Sequence, residues 1–237
     1  MNEDSVPAPI HRSLARGAAR MVLREGHRQM EARLLRLPRF ASVTGEHSAE
    51  RLSKAILNMF RDRLIFMRTE LAKKRSDVLG VGLDTKLTDG RPELALFAIS
   101  SQKGTTRISW MSYQVSQHAL ERFQQRRLGT AHRIESFVDE FFPSAPFGLL
   151  AAIQSEPCRD AQLLPTATGA LISIYDAEKH VRIGVTWIAL EQLRSEQLLE
   201  RQERMKEAPT LLAQLFSSQR TGKFAGRLDR VSSWVRG

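Results

Sequence analysis

The sequence predicts an α+β fold: an N-terminal helical pair, then a mostly antiparallel sheet with packed helices, then a C-terminal helix. Three observations lead there. Up to Asp77, apolar residues recur at helical spacing. From Val78 to Val115 the period falls to two, in three runs separated by turn signals. From Ala170 two more alternating runs precede a long charged segment. The 237 residues, 42% of them apolar, suit one large or two small domains and are too hydrophobic for a disordered chain.

Residues 1–10 read as a flexible lead, because Pro7 and Pro9 oppose an early helix. From 11 to 37, Leu14, Ala18, Met21, Val22, Met30, Leu34 and Leu37 mark a helix that Gly26 weakens and Pro38 ends. After a loop from Ala41 to His47, Ser48 is the expected N-cap of a second helix reaching about Arg75. Its apolar face would hold Leu52, Ile56, Met59, Phe60, Leu64, Met67 and Leu71.

VLGVGLD (78–84), ELALFAIS (93–100) and TRISWMSYQV (106–115) read as strands of an antiparallel meander. Thr88-Asp89-Gly90 and Gln102-Lys103-Gly104 supply the turns. Helices are expected at 117–128, closed by Gly129, and at 131–142, capped by Thr130 and stopped by Pro143. An apolar run, LLAAIQSE (149–156), and an irregular stretch from Cys158 to Thr168 follow. ALISIYD (170–176) and VRIGVTWIAL (181–190) then form a hairpin about Asp176–His180. A charged helix over about 190–216, broken near Pro209, leads into a basic tail carrying Phe224 and Trp234. The chain therefore divides into a basic helical region (1–77), an α+β core (78–190), and a C-terminal helix and tail (191–237).

The 36 Lys and Arg outnumber 26 Asp and Glu, a net charge of +10. Most of the excess lies before position 78, where 16 basic residues face 9 acidic ones. Such a balance favours a polyanionic partner: nucleic acid, RNA ahead of DNA, or failing that an acidic protein. Cys158 is the only cysteine, so neither an intramolecular disulfide nor a cysteine-based zinc site can form within one chain. MNEDSVPAPI is no secretory signal, and no apolar run approaches membrane-spanning length, so a cytoplasmic protein with no membrane span is expected.

G-x-S-x-G, G-x-x-x-x-G-K-[ST] and H-E-x-x-H are all missing, and the carboxylates are scattered among arginines. Gly80 and Gly82 lie inside a strand-like run rather than at a helix start. No cofactor and no metal are expected.

One constellation carries chemistry. Ser116 can cap a helix on which His118, Arg122 and Arg126 stand at i, i+4 and i+8, with Ala119, Leu120 and Phe123 on the apolar side. Imidazole moves protons near neutral pH, and guanidinium holds phosphate and steadies developing charge. The helix dipole, Arg122 and Arg126 should all hold His118 neutral, the form a base needs. Equally, the arginines could pair with Glu121, Glu135 or Asp139 as a solvated face.

The pattern S-x-H-A-L-E-R-x-x-x-R, with later strands such as ALISIYD and VRIGVTW, resembles toxin-type RNases of the barnase–EndoU–colicin–RelE group over about 110–190. That resemblance implies metal-independent RNA cleavage, with a second protein group from the later hairpin. Catalytic expectations are accordingly His118, Arg122, Arg126, Tyr175 and Thr186. Arg182, Gly184 and Thr186 alternate and so should share one face. Nucleic-acid contacts are expected from Arg127, Arg133, His180, Arg182, Lys223 and Arg227. The alternatives are a non-enzymatic nucleic-acid binder and a basic module docking on an acidic protein.

Overall fold

The computed structural model describes residues 11–37, 46–72, 75–102, 105–127, 133–153, 160–216 and 223–225. Helices α1 (Arg12–Leu34) and α2 (Glu46–Phe60) come first. Four long strands follow: β1 (Leu64–Ala72), β2 (Arg75–Thr88), β3 (Arg91–Gln102) and β4 (Thr105–Val115). Then come α3 (Gln117–Arg126), α4 (Ile134–Phe141), a 3-10 turn over Phe142–Ser144 and α5 (Ala145–Ile153). Strands β5 (Gln162–Pro165), β6 (Gly169–Asp176) and β7 (Val181–Ala189), helix α6 (Ser195–Phe216) and the short β8 (Lys223–Ala225) complete the order.

All eight strands join one sheet in the order β5-β6-β7-β4-β3-β2-β1-β8. Every pairing is antiparallel except β4 with β7, which is parallel and limited to Tyr113, Gln114 and Val115 against Arg182, Ile183 and Gly184. The β2–β3 turn is the tight two-residue type that Asp-Gly favours. Asp89 (φ 52°) and Gly90 (φ 74°) are both left-handed, between the paired Thr88 and Arg91.

Alternation along β2 and β3 feeds two cores. Val81, Leu83, Leu94 and Leu96 face Leu23 of α1, Leu120 and Phe123 of α3, and Phe137 and Phe141 of α4. Phe97, Ile99 and Val78 face Ile56 and Phe60 of α2. In the first core Phe123 meets Phe137, Phe141 and Trp187 edge-on, at centroid distances of 6.0, 5.9 and 5.2 Å.

Two buried polar clusters punctuate this packing. Arg63, in the turn before β1, is fully buried. Its Nε lies 3.4 Å from Asp84 Oδ2, and its Nη1 lies 2.7 Å from Glu135 Oε1. Its Nη2 donates to Gln29 Oε1 at 2.8 Å, which reaches α1. Arg33 Nη1 lies 3.4 Å from the same Asp84 oxygen, and Thr85 N donates to Asp84 Oδ1 at 2.7 Å. Elsewhere Glu140 accepts from Thr166 Oγ1 (2.6 Å), Thr168 N (3.1 Å), Thr168 Oγ1 (2.8 Å) and Trp187 Nε1 (3.0 Å). Arg201 of α6 donates to the carbonyls of Gly169, Thr166 and Ala167.

The α+β architecture agrees with expectation; several local assignments do not. The second helix stops at Phe60 instead of about Arg75, and Leu64–Ala72 is β1. LIFMRTELA carries apolar residues at both helical and alternating positions, and pairing with β2 along its length decides for strand. Ser48 lies inside α2, which begins at Glu46. The start of LLAAIQSE closes helix α5, and β5 runs through the stretch read as irregular. α6 continues across Pro209. α1 runs unbroken through Gly26, where a Cβ would meet Thr85 Oγ1 at 2.6 Å and Ile134 Cγ1 at 3.1 Å. That glycine lets α1 lie close over β2 and α4. The boundary expected at 77 falls within β2, and Ala19, Val22 and Leu23 of α1 share one core with Leu171 and Trp187. Pro38, Thr130, Cys158 and Arg227 lie outside the described residues. Among the described residues no helix is long and apolar enough to cross a membrane.

Removing one partner of a buried ion pair strands the other charge, at a cost of about 3–5 kcal/mol. Arg63→Met is therefore expected to lower the urea midpoint by that equivalent at an unchanged slope. A shift under about 1 kcal/mol would mean that Asp84 and Glu135 find other partners.

Candidate nucleic-acid interface

The predicted cap forms: Ser116 Oγ accepts from Ala119 N at 3.3 Å. Ser116 is itself held to β7, its N donating to the Gly184 carbonyl (2.9 Å) and its Oγ to that of Val185 (3.3 Å). This fixes the start of α3 at the end of β4, with His118 exposed in the first turn. Ala119, Leu120 and Phe123 are buried, as their side of the helix requires.

Packing of α1 across α3 then supplies a wall that was not anticipated. Arg16, Arg20 and Arg24 stand exposed at i, i+4 and i+8 on α1 and face His118. The β2–β3 turn closes the third side with Arg91, Pro92 and Glu93. Together with Gln117 and Glu121 they bound an open cleft of about 530 Å3. Arg16 Nε lies 3.4 Å from Glu121 Oε2, and Gln117 Nε2 donates to Glu121 Oε1 at 2.6 Å. Arg20, Arg24 and Arg91 have no carboxylate in ion-pair range among the described residues.

Partial burial and the Arg122 guanidinium push His118 below the usual imidazole value, against Glu121. Arg12 and Arg16 of α1 add to this effect, in place of the Arg126 contribution expected from the sequence. Burial raises Glu93 above the usual carboxylate range.

The His118, Arg122, Arg126 row shares a helix but not a task. Arg122 is half-buried and donates to Gln125 Oε1 at 3.2 Å. Arg126 donates to the Trp187 carbonyl at 3.0 Å, at a point where β7 has parted from β4. Arg127 is exposed and donates to Thr168 Oγ1 at 3.0 Å. Arg133 is exposed at the start of α4.

The later hairpin does not contribute to the cleft walls. Tyr175 Oη and His180 Nδ1 are 3.1 Å apart at its turn, where His180 has φ 50°. Arg182 is 1% exposed, lies 5.7 Å from the Tyr175 ring centre, and donates to the Asp160 carbonyl at 3.2 Å. Thr186 is half-buried opposite Ile172. The expectation that Arg182, Gly184 and Thr186 share a face is corrected by a bulge. Ser173 pairs with Gly184 but Ile172 with Thr186, so Val185 is the extra residue and the alternation resets. Lys223 sits in β8, at the opposite edge of the sheet from β5–β7. A salt bridge of 3.2 Å between Lys179 and Asp89 does join this hairpin to the β2–β3 turn beside the cleft.

The missed residues were detectable. Arg16, Arg20 and Arg24 repeat the spacing that singled out His118, Arg122 and Arg126. Among the described residues no group of three His, Cys, Asp or Glu side chains gathers as metal ligands. No protein family, curated protein or solved structure matches this chain.

An anion in the cleft favours the charged imidazole, so binding takes up a proton. Anion affinity is expected to rise as pH falls from 7 toward 5, by about threefold to fivefold for a surface charge worth up to about 1 kcal/mol. Glu93 neutralises in the same direction, so comparison with His118→Asn isolates the imidazole. An identical pH profile in that variant, measured by titration with a short phosphorylated oligonucleotide, would exclude His118 from the contact.

Proposed function

We propose that the protein binds nucleic acid by its phosphates, in the cleft between α1, the start of α3 and the β2–β3 turn. The observation that carries this is the ridge of Arg16, Arg20 and Arg24 facing Arg91 and His118 across open space. Like charges at i, i+4 repel by about 0.2–0.5 kcal/mol per pair, and an anion lying over the row relieves that cost. Arginine is suited to the task, since its planar fork can hold a phosphate through two hydrogen bonds.

A catalytic version of this reading is supported by His118, whose lowered pKa keeps it neutral and able to accept a proton near pH 7. In RNA cleavage the 2′-oxygen would attack phosphorus as its proton passes to His118 Nδ1 or Nε2. The 5′-oxygen would leave with a returned proton, giving a 2′,3′-cyclic phosphate. Glu93, held above the usual carboxylate range in the same cleft, is the second group able to carry a proton there. The arginines would stabilise the charge on the pentacoordinate phosphorus.

Fluorescence anisotropy with labelled RNA and DNA tests the binding. Arg20→Ala with Arg24→Ala is expected to weaken it by up to about thirtyfold, each exposed charge pair contributing up to about 1 kcal/mol. Lys206→Ala, an equal charge loss on an exposed position of α6, should change it little. Equal losses would reduce the site to general surface charge, and binding only to an acidic protein would overturn it. Cleavage of RNA in EDTA that disappears in His118→Ala, with binding kept, would establish the catalytic version.

A further inference from the structure

We infer that the occupant of the cleft is a single strand, lying along α1 with successive phosphates on successive arginines. This rests on the nucleic-acid reading above and adds the substrate's form and direction. Four residues of helix advance about 6 Å, so Arg16, Arg20 and Arg24 present their charges at intervals of about 6 Å along one line. That interval is close to the separation of neighbouring phosphates in one strand. A strand following the α1 axis therefore meets one guanidinium per phosphate.

The opposite wall distinguishes a single strand from a duplex. Arg91 comes from the β2–β3 turn and His118 from the first turn of α3, so a strand between them and α1 is contacted from two sides. A duplex offers its backbone on a broad surface and keeps the far side of each strand engaged in pairing. The cleft volume, about 530 Å3, is that of a pocket for a small molecule; it has no room for a duplex and can seat the backbone of one strand with the bases outside it. Among the described residues no Phe, Tyr or Trp lines it, and His118 is the one ring there, so the extended stacking by which many single-strand binders hold bases has no platform in the cleft. Recognition is thus by the backbone, with bases turned outward and little preference among them.

Arg16 is held at 3.4 Å from Glu121, with its side chain 45% exposed. The Glu121 side chain is only 10% exposed, but Gln117 Nε2 donates to its other oxygen at 2.6 Å, so a phosphate that exchanges for the carboxylate at Arg16 leaves Glu121 with one partner. Arg20, Arg24 and Arg91 need no such exchange.

The test is a salt titration of affinity with homopolymeric single strands of RNA and DNA of increasing length, beside a hairpin duplex of equal charge. For single strands log K against log[salt] has a slope of about −0.7 per phosphate neutralised, so contact with about four arginines gives about −3. Affinity should climb with length until about four phosphates are present, and the slope should fall by about 0.7 in Arg20→Ala. Circular dichroism melting of that variant should match the parent, since Arg20 is exposed. A duplex bound as tightly as the single strand, or a slope unchanged in Arg20→Ala while binding persists, would overturn the inference and leave the nucleic-acid reading standing. Failure of every strand and duplex to bind would overturn both.

Discussion

The position of α1 depends on one buried ion pair, and the cleft depends on α1. Arg63 and Asp84 are both fully buried, 3.4 Å apart. Charges so placed lose several kcal/mol of hydration each, and only several good partners offset that. Here the partners come from different parts of the chain. Glu135 of α4, Gln29 and Arg33 of α1, and the backbone of Thr85 complete the set. The Leu83 N–H donates to the Arg63 carbonyl at 2.9 Å, so backbone and side chain of one residue tie the turn before β1 to β2. A helix held this way has one register against the sheet. Gly26 allows the close approach that the register demands, and the arginines on the outer side of α1 are consequently aimed at α3.

A second constraint explains why the arginines of α3 divide their roles. β4 and β7 pair at only three positions, and the bulge at Val185 turns β7 away. The edge of β7 then exposes carbonyls that need donors. α3 lies along that edge: Ser116 takes the Gly184 and Val185 carbonyls and Arg126 takes that of Trp187. Arg127 extends the same attachment to Thr168, which is bound in turn to Glu140. The far end of the helix is thus tied to the sheet, while His118 at its beginning stands exposed on the cleft.

This division marks what the sequence could disclose. Periodicity reported β2, β3, β4, β6 and β7 to within a few residues, and Asp-Gly reported the turn that forms one wall of the cleft. It could not choose between helix and strand for LIFMRTELA, where both spacings coexist and the partner strand decides. The bulge in β7 left no trace in VRIGVTW, so side chains assumed to share a face do not. The cleft itself was hidden for a different reason. Arg16 and Glu121 are 105 positions apart, and a surplus of arginines in 1–77 carries no information on where that face points. Charge was legible as a total and illegible as a location.

The location also changes what the charge can do. A uniformly basic cleft would hold a polyanion tightly and release it slowly, but this one includes Glu121 and Glu93. Glu121 occupies Arg16, so part of the attraction is already used before an anion arrives. Burial favours the neutral form of Glu93, which lessens the repulsion it would exert on a phosphate. His118 behaves in the opposite sense: burial and the neighbouring Arg122 disfavour its charge. On the proposed reading, positive charge in the cleft is therefore partly latent, since a phosphate beside His118 would favour its protonated form. The two roles proposed for His118 then compete: the charged imidazole that a phosphate favours cannot accept a proton, and the neutral form that burial and Arg122 favour is the one able to act as a base. On that reading, the geometry between His118 and a 2′-oxygen, together with the protonation state of the imidazole, would separate a binding protein from a nuclease.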